Sequence, residues 1–452
     1  MLSRILTLMT AAIISSGLCF GFFQQDTPQT DNTGLTWKNK PEKVRIECGS
    51  GTHFSFIFHR DTTSAITITR FFIRGGKKAE PENLKGLAFI TTRLCTELHA
   101  QSDIRDLQEM GSSFSMQVED DYSIITVRCL SENLEDTLKM VTAIIRKPLI
   151  SPLRISHIKR SMEHMQKSEE DDAEAFMNRE YHTIFFGKEG YGGSVFGDEA
   201  SLKQLKKKDI TEFHEKYFNL SNIVISISSD LSGEKIADIL KKYACLLPMG
   251  EKQSSAGETK KQPQSQKREY SFNKQQTQTL VSLAVPLPDM NPHNFTCAYM
   301  LETLLGEGIG SRLWPIREEK KLAYRLQARV TQMKDAGMLI VHVITDKSKK
   351  EKALAALTEV MTNLYRDGAA GTEFAAVKTL SRACFLRDNE TKEMRTFNLG
   401  AFETTGPGFE FLEDFFSRME NVTAEDFNTY IKEVLKPGNL VKVIIGPGEK
   451  EL

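Results

Sequence analysis

Apolar residues dominate residues 64–73 (SAITITRFFI) and 122–129 (YSIITVRC), and polar turns bound both stretches, which predicts strands. Residues 84–99 and 134–147 space their apolar side chains three and four apart, as an amphipathic helix requires. The second half of the chain repeats that order. A strand is predicted at 279–285, a helix at 294–305, strands at 323–331 and 337–345, and a helix at 349–366. Strands in pairs followed by helices, without a β-α-β rhythm, predict an α+β fold whose antiparallel sheets carry helices on one face.

The halves also end alike. Residues 209–229 (DITEFHEKYFNLSNIVISISS) and 423–447 (TAEDFNTYIKEVLKPGNLVKVIIGP) each read as a capped helix, a turn with an asparagine, and a β-rich strand. Asp209 and Thr423 are the expected caps, Asn222 and Asn439 the turn residues, and Phe213 and Phe427 match at an offset of 214 residues. A repeat of this size predicts two homologous domains, at 43–248 and 269–452. Between them, residues 249–268 (MGEKQSSAGETKKQPQSQKR) have no hydrophobic period and read as a linker.

The first 21 residues change the picture of where the chain works. Arg4 precedes a run of apolar residues, and Cys19 and Gly21 offer small side chains for cleavage after Gly21. This is the layout of a secretory signal peptide, with an uncleaved membrane anchor as the alternative. A polar spacer follows at 22–42, and the expected location is the periplasm. Lys plus Arg is 59 against 60 Asp plus Glu, a net charge of −1, which excludes a dedicated nucleic-acid binder. Besides Cys19 there are six cysteines: Cys48, Cys95, Cys129, Cys245, Cys297 and Cys384. None forms a C-x-x-C motif, and several lie in apolar runs, so small buried hydrophobes are the favoured reading. An oxidising compartment permits disulfides without requiring them.

Two segments are more specific: 75–98 (GGKKAEPENLKGLAFITTRLCTEL) and 304–328 (LLGEGIGSRLWPIREEKKLAYRLQA). With 190–205 (GYGGSVFGDEASLKQL) and 107–127, they resemble the M16 metallopeptidases, the insulinase/pitrilysin and mitochondrial-processing-peptidase-like family, in its bacterial M16B form. The resemblance spans about 43–447 and implies a LuxS/MPP-like fold of two homologous α+β domains. Family members carry H-x-x-E-H, two zinc-binding histidines one helical turn apart with a general-base glutamate between them. Here Phe89 stands at the first histidine position, Thr92 at the glutamate and Arg93 at the second histidine. Phenylalanine cannot ligate, threonine is no base near neutral pH, and a guanidinium repels a dication. No H-x-x-E-H or H-E-x-x-H occurs elsewhere, and His99 has no partner four residues away. His157 and Glu163-His164 share one predicted helix but read as its solvated face.

The second segment keeps what the first has lost. Arg317 and Tyr324 have the seven-residue spacing of the family's Arg/Tyr pair, with S-R-L and L-A-Y in place around them. The resemblance implies that Arg317 donates hydrogen bonds to substrate carbonyls and that Tyr324 stabilises a developing oxyanion. The glycine-rich 306–310 follows a helix pattern and lacks a following lysine, so it reads as a turn and not a phosphate loop. One half-site without the other implies a non-catalytic subunit of a heterodimeric zinc peptidase. Its partner would carry H-x-x-E-H and the zinc, this chain would bind no cofactor, and the substrate would be a peptide. The alternative is a pseudopeptidase that binds peptides or acts as a scaffold in the cell envelope. An autonomous peptidase would need a metal site that the sequence does not supply.

Overall fold

A computed structural model describes residues 39–49, 51–98, 100–253 and 268–447. The expected signal peptide, most of the spacer, most of the linker, and His99 lie outside the described residues. No helix among the described residues is long and apolar enough to cross a membrane.

The first half contributes strands β1 (Glu42–Gly49), β2 (Thr52–Arg60), β3 (Ile66–Arg74), β4 (Ser113–Val118), β5 (Tyr122–Leu130) and β6 (Ile223–Ser229). Its helices are α1 (Leu87–Leu94), α2 (Gln101–Glu109), α3 (Leu134–Arg146), α4 (Pro152–Asp171), α5 (Ala173–Phe186), α6 (Glu199–Gln204), α7 (Lys207–Tyr217) and α8 (Gly233–Tyr243). The second half contributes β7 (Glu269–Asn273), β8 (Gln278–Leu287), β9 (Arg325–Met333), β10 (Ala336–Asp346) and β11 (Val441–Gly446). Its helices are α9 (Pro292–Gly306), α10 (Trp314–Glu318), α11 (Lys350–Asp367), α12 (Gly371–Arg387), α13 (Lys392–Thr405), α14 (Phe411–Asn421) and α15 (Ala424–Val434).

The sheets run β1-β2-β6-β3-β5-β4 and β7-β11-β8-β10-β9. Without β1, the two orders are the same, so the halves share one topology. The expected sheets were antiparallel; each is mixed, because β2 pairs parallel with β6 and β7 parallel with β11. The last strand of each half inserts between two earlier antiparallel-running ones, β6 between β2 and β3 and β11 between β7 and β8, and so runs parallel to one of them. The repeat register also differs from the expected 214. Buried Ile210, Phe213, His214 and Tyr217 of α7 match buried Phe427, Tyr430, Ile431 and Val434 of α15 in spacing, 217 residues apart. Asn222 and Asn439, at the same offset, each donate to carbonyls at the end of the preceding helix. Thr423 caps α15 as expected, but α7 starts earlier, and Asp209 accepts the Lys206 N–H from within its first turn at 2.7 Å.

Helices cover both faces of each sheet, and the second face is covered by the other half. Phe176, Met177, Tyr181 and Phe185 of α5 pack on β8, β10 and β11, and the Tyr181 hydroxyl lies 2.9 Å from Ser282 Oγ. In return, α13 lies across β3 and β6. Gly400 is what lets it approach: a Cβ there would stand 2.0 Å from the Phe72 ring. Lys392 donates to the carbonyls of Ser64 and Ile66 at 2.7 and 3.0 Å, and Arg395 pairs with buried Asp61 at 3.0 Å. The result is one apolar core that joins Ile57, Phe72 and Val224 of the first half to Leu399 and Phe402 of the second. Two-sided burial explains why β6 is buried at every position and why β8 and β10 are buried along most of their length.

Cys48 and Cys245 form a disulfide that links the end of edge strand β1 to the turn after α8, 197 residues along the chain. The expectation of small buried hydrophobes thus fails for these two, because α8 packs on β1 and brings their Cα atoms to 5.4 Å. It holds for Cys95, Cys129, Cys297 and Cys384, which are free and buried.

A polar junction bolts the halves together. Lys77, almost fully buried, pairs with Asp120 at 2.8 Å and donates to the Gly193 carbonyl at 3.0 Å. Asp121 accepts from the Tyr191 hydroxyl and from the Lys334 N–H, both at 2.7 Å. The Asp335 carboxylate takes the Lys78 ammonium. Burial pushes the Asp121 carboxyl up to about 6, and burial with neighbouring Asp120 pushes Glu119 to about 7. Burial likewise raises Glu80 and Glu302 to about 7. Each of these carboxyls holds its proton more tightly folded than unfolded, so their combined effect is that stability rises as the pH falls through about 7. His59 and His182, held neutral to about 4 by burial, oppose this only below the ordinary histidine value of about 6.5. The urea midpoint should therefore be higher at about pH 6.5 than at about pH 8. A midpoint that falls over this interval would contradict the assignment of these buried carboxyls.

Candidate functional site

The segment where the zinc motif of the resembling family would fall, expected to hold no metal here, is built for packing. The carboxylate of fully buried Glu80 accepts from the N–H groups of Gly86 and Ala88, at 3.1 and 2.8 Å, and so satisfies the start of α1. The helix is shorter than the expected 84–99: it ends at Leu94, where the Cys95 N–H is shared between the Thr91 and Thr92 carbonyls. Gly86, at φ 89°, makes the turn into the helix, and its backbone abuts Met162 and Phe196.

Phe89 is buried edge-on against Phe196, with ring centroids 5.2 Å apart. Thr92 is buried and its hydroxyl donates back to the Ala88 carbonyl at 2.7 Å. Arg93 points outward and pairs with Glu97 one turn on, at 3.0 Å. These three side chains do not fit a zinc ion: one is apolar, one has spent its hydroxyl proton on the backbone, and one is a cation. Among the described residues no group of three or more His, Cys, Asp and Glu side chains could hold a metal. His157, Glu163 and His164 are exposed on α4. His59, His182 and His214 are buried and packed; the first pairs with Ser228 Oγ and the last with the Ile145 carbonyl. His342 is buried beside Glu174, 3.6 Å away.

Arg317 and Tyr324 sit in a different setting. After α9, Gly308 and Gly310 take positive φ values of 69° and 97°, and Ile309 between them is 84% exposed. Arg312 anchors the far side of this turn through a two-pronged bond to Glu373, at 2.6 and 2.7 Å, and through the Gly368 carbonyl. The turn is thereby tied down just ahead of α10. Arg317, in the last turn of α10, is half exposed; its guanidinium lies over the Trp314 ring and 3.4 Å from Glu318. The Leu322 N–H bonds back to the Ile316 carbonyl at 3.0 Å, and Lys321 adopts φ 51°, the sole positive value for a non-glycine residue among those described. Together these steer the chain out of α10 and into β9.

Tyr324 directly precedes β9, which starts two residues later than expected, and its N–H continues the ladder to the Ile344 carbonyl at 2.9 Å. Its side chain is 57% exposed and its hydroxyl donates to Asp346 Oδ1 at 2.9 Å. That hydrogen bond and the Asp346 charge raise the phenol above its ordinary value, so Tyr324 is a neutral donor at physiological pH. Lys349 pairs with Asp346 at 3.3 Å and lies over the Tyr324 ring. Arg317 and Tyr324 thus share one surface segment but keep separate partners. Sequence reasoning missed Trp314 and Asp346. The second was within reach of a hairpin argument, since the β9–β10 register pairs Arg325 with Ile344 and carries Asp346 beside Tyr324.

Comparison with known proteins adds the remaining evidence. A family model described as "Insulinase (Peptidase family M16)" matches residues 56–199, and one described as "Peptidase M16 inactive domain" matches 204–380. An "Uncharacterized zinc protease" of Rickettsia felis is 23% identical over 379 residues, which are 81% of this chain and 87% of that protein. The mitochondrial cytochrome b-c1 complex subunit 2 of Schizosaccharomyces pombe is also 23% identical, over 92% of this chain and 94% of its own length. A crystal structure of a peptidase M16 inactive domain from Pseudomonas fluorescens superposes with a TM-score of 0.80 at 20% identity, covering 90% of this chain and 98% of that one. That likeness shows a shared fold. Two models of one family span 56–380 almost without a break on a chain with that fold, and this chain belongs to the M16 peptidase family.

Proposed function

We propose that this chain is the metal-free, substrate-binding subunit of a two-subunit M16 peptidase. In this reading Arg317 and Tyr324 act on peptide substrate held at the zinc site of a partner that carries H-x-x-E-H. One observation carries the reading: two of the three metal positions are packed shut and the third is an outward-pointing cation, while the two donors remain at the surface. A guanidinium that stacks on Trp314 keeps donors free for peptide carbonyls. A phenol that already donates to a carboxylate can donate to a carbonyl oxygen as negative charge develops on it. The substrate would displace Asp346 as acceptor, since the hydroxyl has one proton to give. We place the complex in the periplasm. The N-terminal segment supports this, and so does the Cys48–Cys245 disulfide, a bond rare in reducing compartments.

A scaffold role is the second reading, and the likeness to a cytochrome b-c1 complex subunit favours it. The test is purification of this chain from its own cells, with mass spectrometry of what accompanies it, followed by peptide hydrolysis by each protein alone and by the mixture. A stoichiometric H-x-x-E-H protein and hydrolysis by the mixture support the first reading. Recovery of the chain alone, or with proteins lacking that motif, favours the second.

A further inference from the structure

The turn between α3 and α4, residues 147–153 (KPLISPL), exposes two leucines: Leu153 is 78% exposed and Leu149 is 45% exposed. The turn itself is fixed. Ile150 packs on the core of the first half, and Ser151 Oγ caps α4 by accepting the Arg154 N–H at 3.3 Å. The leucines project from either side of this anchored middle. α4 then extends the surface. His157, Arg160, His164 and Lys167 follow Leu153 at intervals of four, three, four and three residues, which places all five on one face of the helix, and all five are exposed. The opposite face, with Ile155, Ile158 and Met162, is buried. At 1.5 Å per residue the exposed stripe runs for roughly 21 Å. Up to Lys167 the one exposed acid of α4 is Glu163, whose charge acts on Lys159 and Lys203.

Further cations flank the stripe. Lys159 donates to the Leu205 carbonyl at 2.7 Å, and His214 Nε2 lies 2.7 Å from the Ile145 carbonyl. The start of α7 therefore lies beside α4, and its end beside the end of α3. Arg146 and Lys147 follow Ile145, and Lys206 and Lys207 follow Leu205. These four, with Arg160 and Lys167, are exposed and form no ion pair among the described residues. Neighbouring Lys203 and Lys208, in contrast, pair with Glu199 and Glu212. No phenylalanine, tyrosine or tryptophan is among the exposed large apolar side chains of this face.

We propose that this face docks the chain on an anionic lipid bilayer, with Leu149 and Leu153 entering the acyl region and the unpaired cations meeting headgroup phosphates. A protein interface draws its strength from aromatic anchors seated in pockets and is poor in lysine. This face has the reverse composition, and a helix surface is convex, with no groove for a partner to fill. A bilayer requires no such fit: its headgroups move to meet charge, and its interior takes any apolar side chain that reaches it. Two leucines and six cations supply two weak signals together, the combination that holds a protein to a membrane reversibly. No spanning helix is required, and the docking does not depend on the role proposed for Arg317 and Tyr324.

The test is co-sedimentation of the full chain with vesicles of phosphatidylcholine alone and of equal parts phosphatidylcholine and phosphatidylglycerol. Binding to the anionic vesicles should be at least about tenfold tighter and should weaken as salt rises. Arg160→Gln with Lys167→Gln should weaken it at least about tenfold, and Leu149→Ser with Leu153→Ser by about as much. All four positions are exposed, so the unfolding midpoints should match the parent. Leu153→Trp gives a local readout, taken above the signal of Trp37 and Trp314 in the native chain. Its emission should shift to shorter wavelength on anionic vesicles and be quenched by lipids with brominated acyl chains. That separates docking through this face from attachment elsewhere in the chain. Emission that stays at its aqueous position while the chain sediments would overturn the proposal, as would equal binding to both vesicles with no change in the variants. Self-association that Leu153→Ser abolishes would also overturn it, since the face would then be an interface between copies. Failure to find an H-x-x-E-H partner would leave the docking unaffected.

Discussion

Replacing Tyr324 with phenylalanine, or Arg317 with alanine, should lower kcat of the reconstituted two-chain peptidase by about 10²–10³-fold. That is the usual cost of removing one donor aimed at developing charge. Both side chains are about half exposed, so folding should be nearly unaffected and unfolding midpoints should match the parent. The two should differ in how the loss divides. Tyr324→Phe removes a proton donor needed most in the transition state and should lower kcat with little change in KM. Arg317→Ala also removes the stack on Trp314 and contacts made to bound substrate, so KM should rise as well. Steady-state kinetics of the mixed subunits measures both. Turnover unchanged in both variants would remove these residues from the reaction and leave the scaffold reading.

Replacing Cys48 and Cys245 together with serine should destabilise the chain by about 3–5 kcal/mol. The disulfide closes a loop of nearly the whole first half, 197 residues, so opening it frees a large ensemble of unfolded conformations. It also releases β1, which has a single strand neighbour and a polar, half-exposed face. The expected observation is a lower unfolding midpoint in the double variant, with the native chain falling to the same midpoint in reductant. The other four cysteines among the described residues are free and buried, so reductant should have no further effect on the variant. A midpoint unchanged by both treatments would mean that β1 is held by pairing with β2 alone.

Much of this fold is legible in local pattern. The strands 64–73 and 122–129 and the helices 134–147, 294–305 and 349–366 fall within a few residues of their observed bounds, because period and capping are local properties. What escaped is what depends on distant chain. The parallel placement of β6 and β11 is set by which neighbours they insert between, and the 64–73 segment gives no hint that its outer face meets α13. The register of 214 followed one phenylalanine pair; the spacing of all four buried residues in α7 and α15 gives 217. The Cys48–Cys245 bond was hidden because its partners lie in unrelated local contexts. At the site, the replacements at Phe89, Thr92 and Arg93 could be read from residue type alone. The hold of Asp346 on Tyr324 needed one step more, the pairing of the two predicted strands 323–331 and 337–345 as a hairpin.

The mutual covering of the sheets by α5 and α13 has a consequence for how such a chain can arise and be divided. Expressed by itself, either half would present a sheet with one bare apolar face, an invitation to aggregate. A single-domain ancestor would have met the same problem, and two identical copies that lend each other one helix would solve it as a swapped homodimer. Fusion of two such genes makes the loan permanent and frees each copy to diverge.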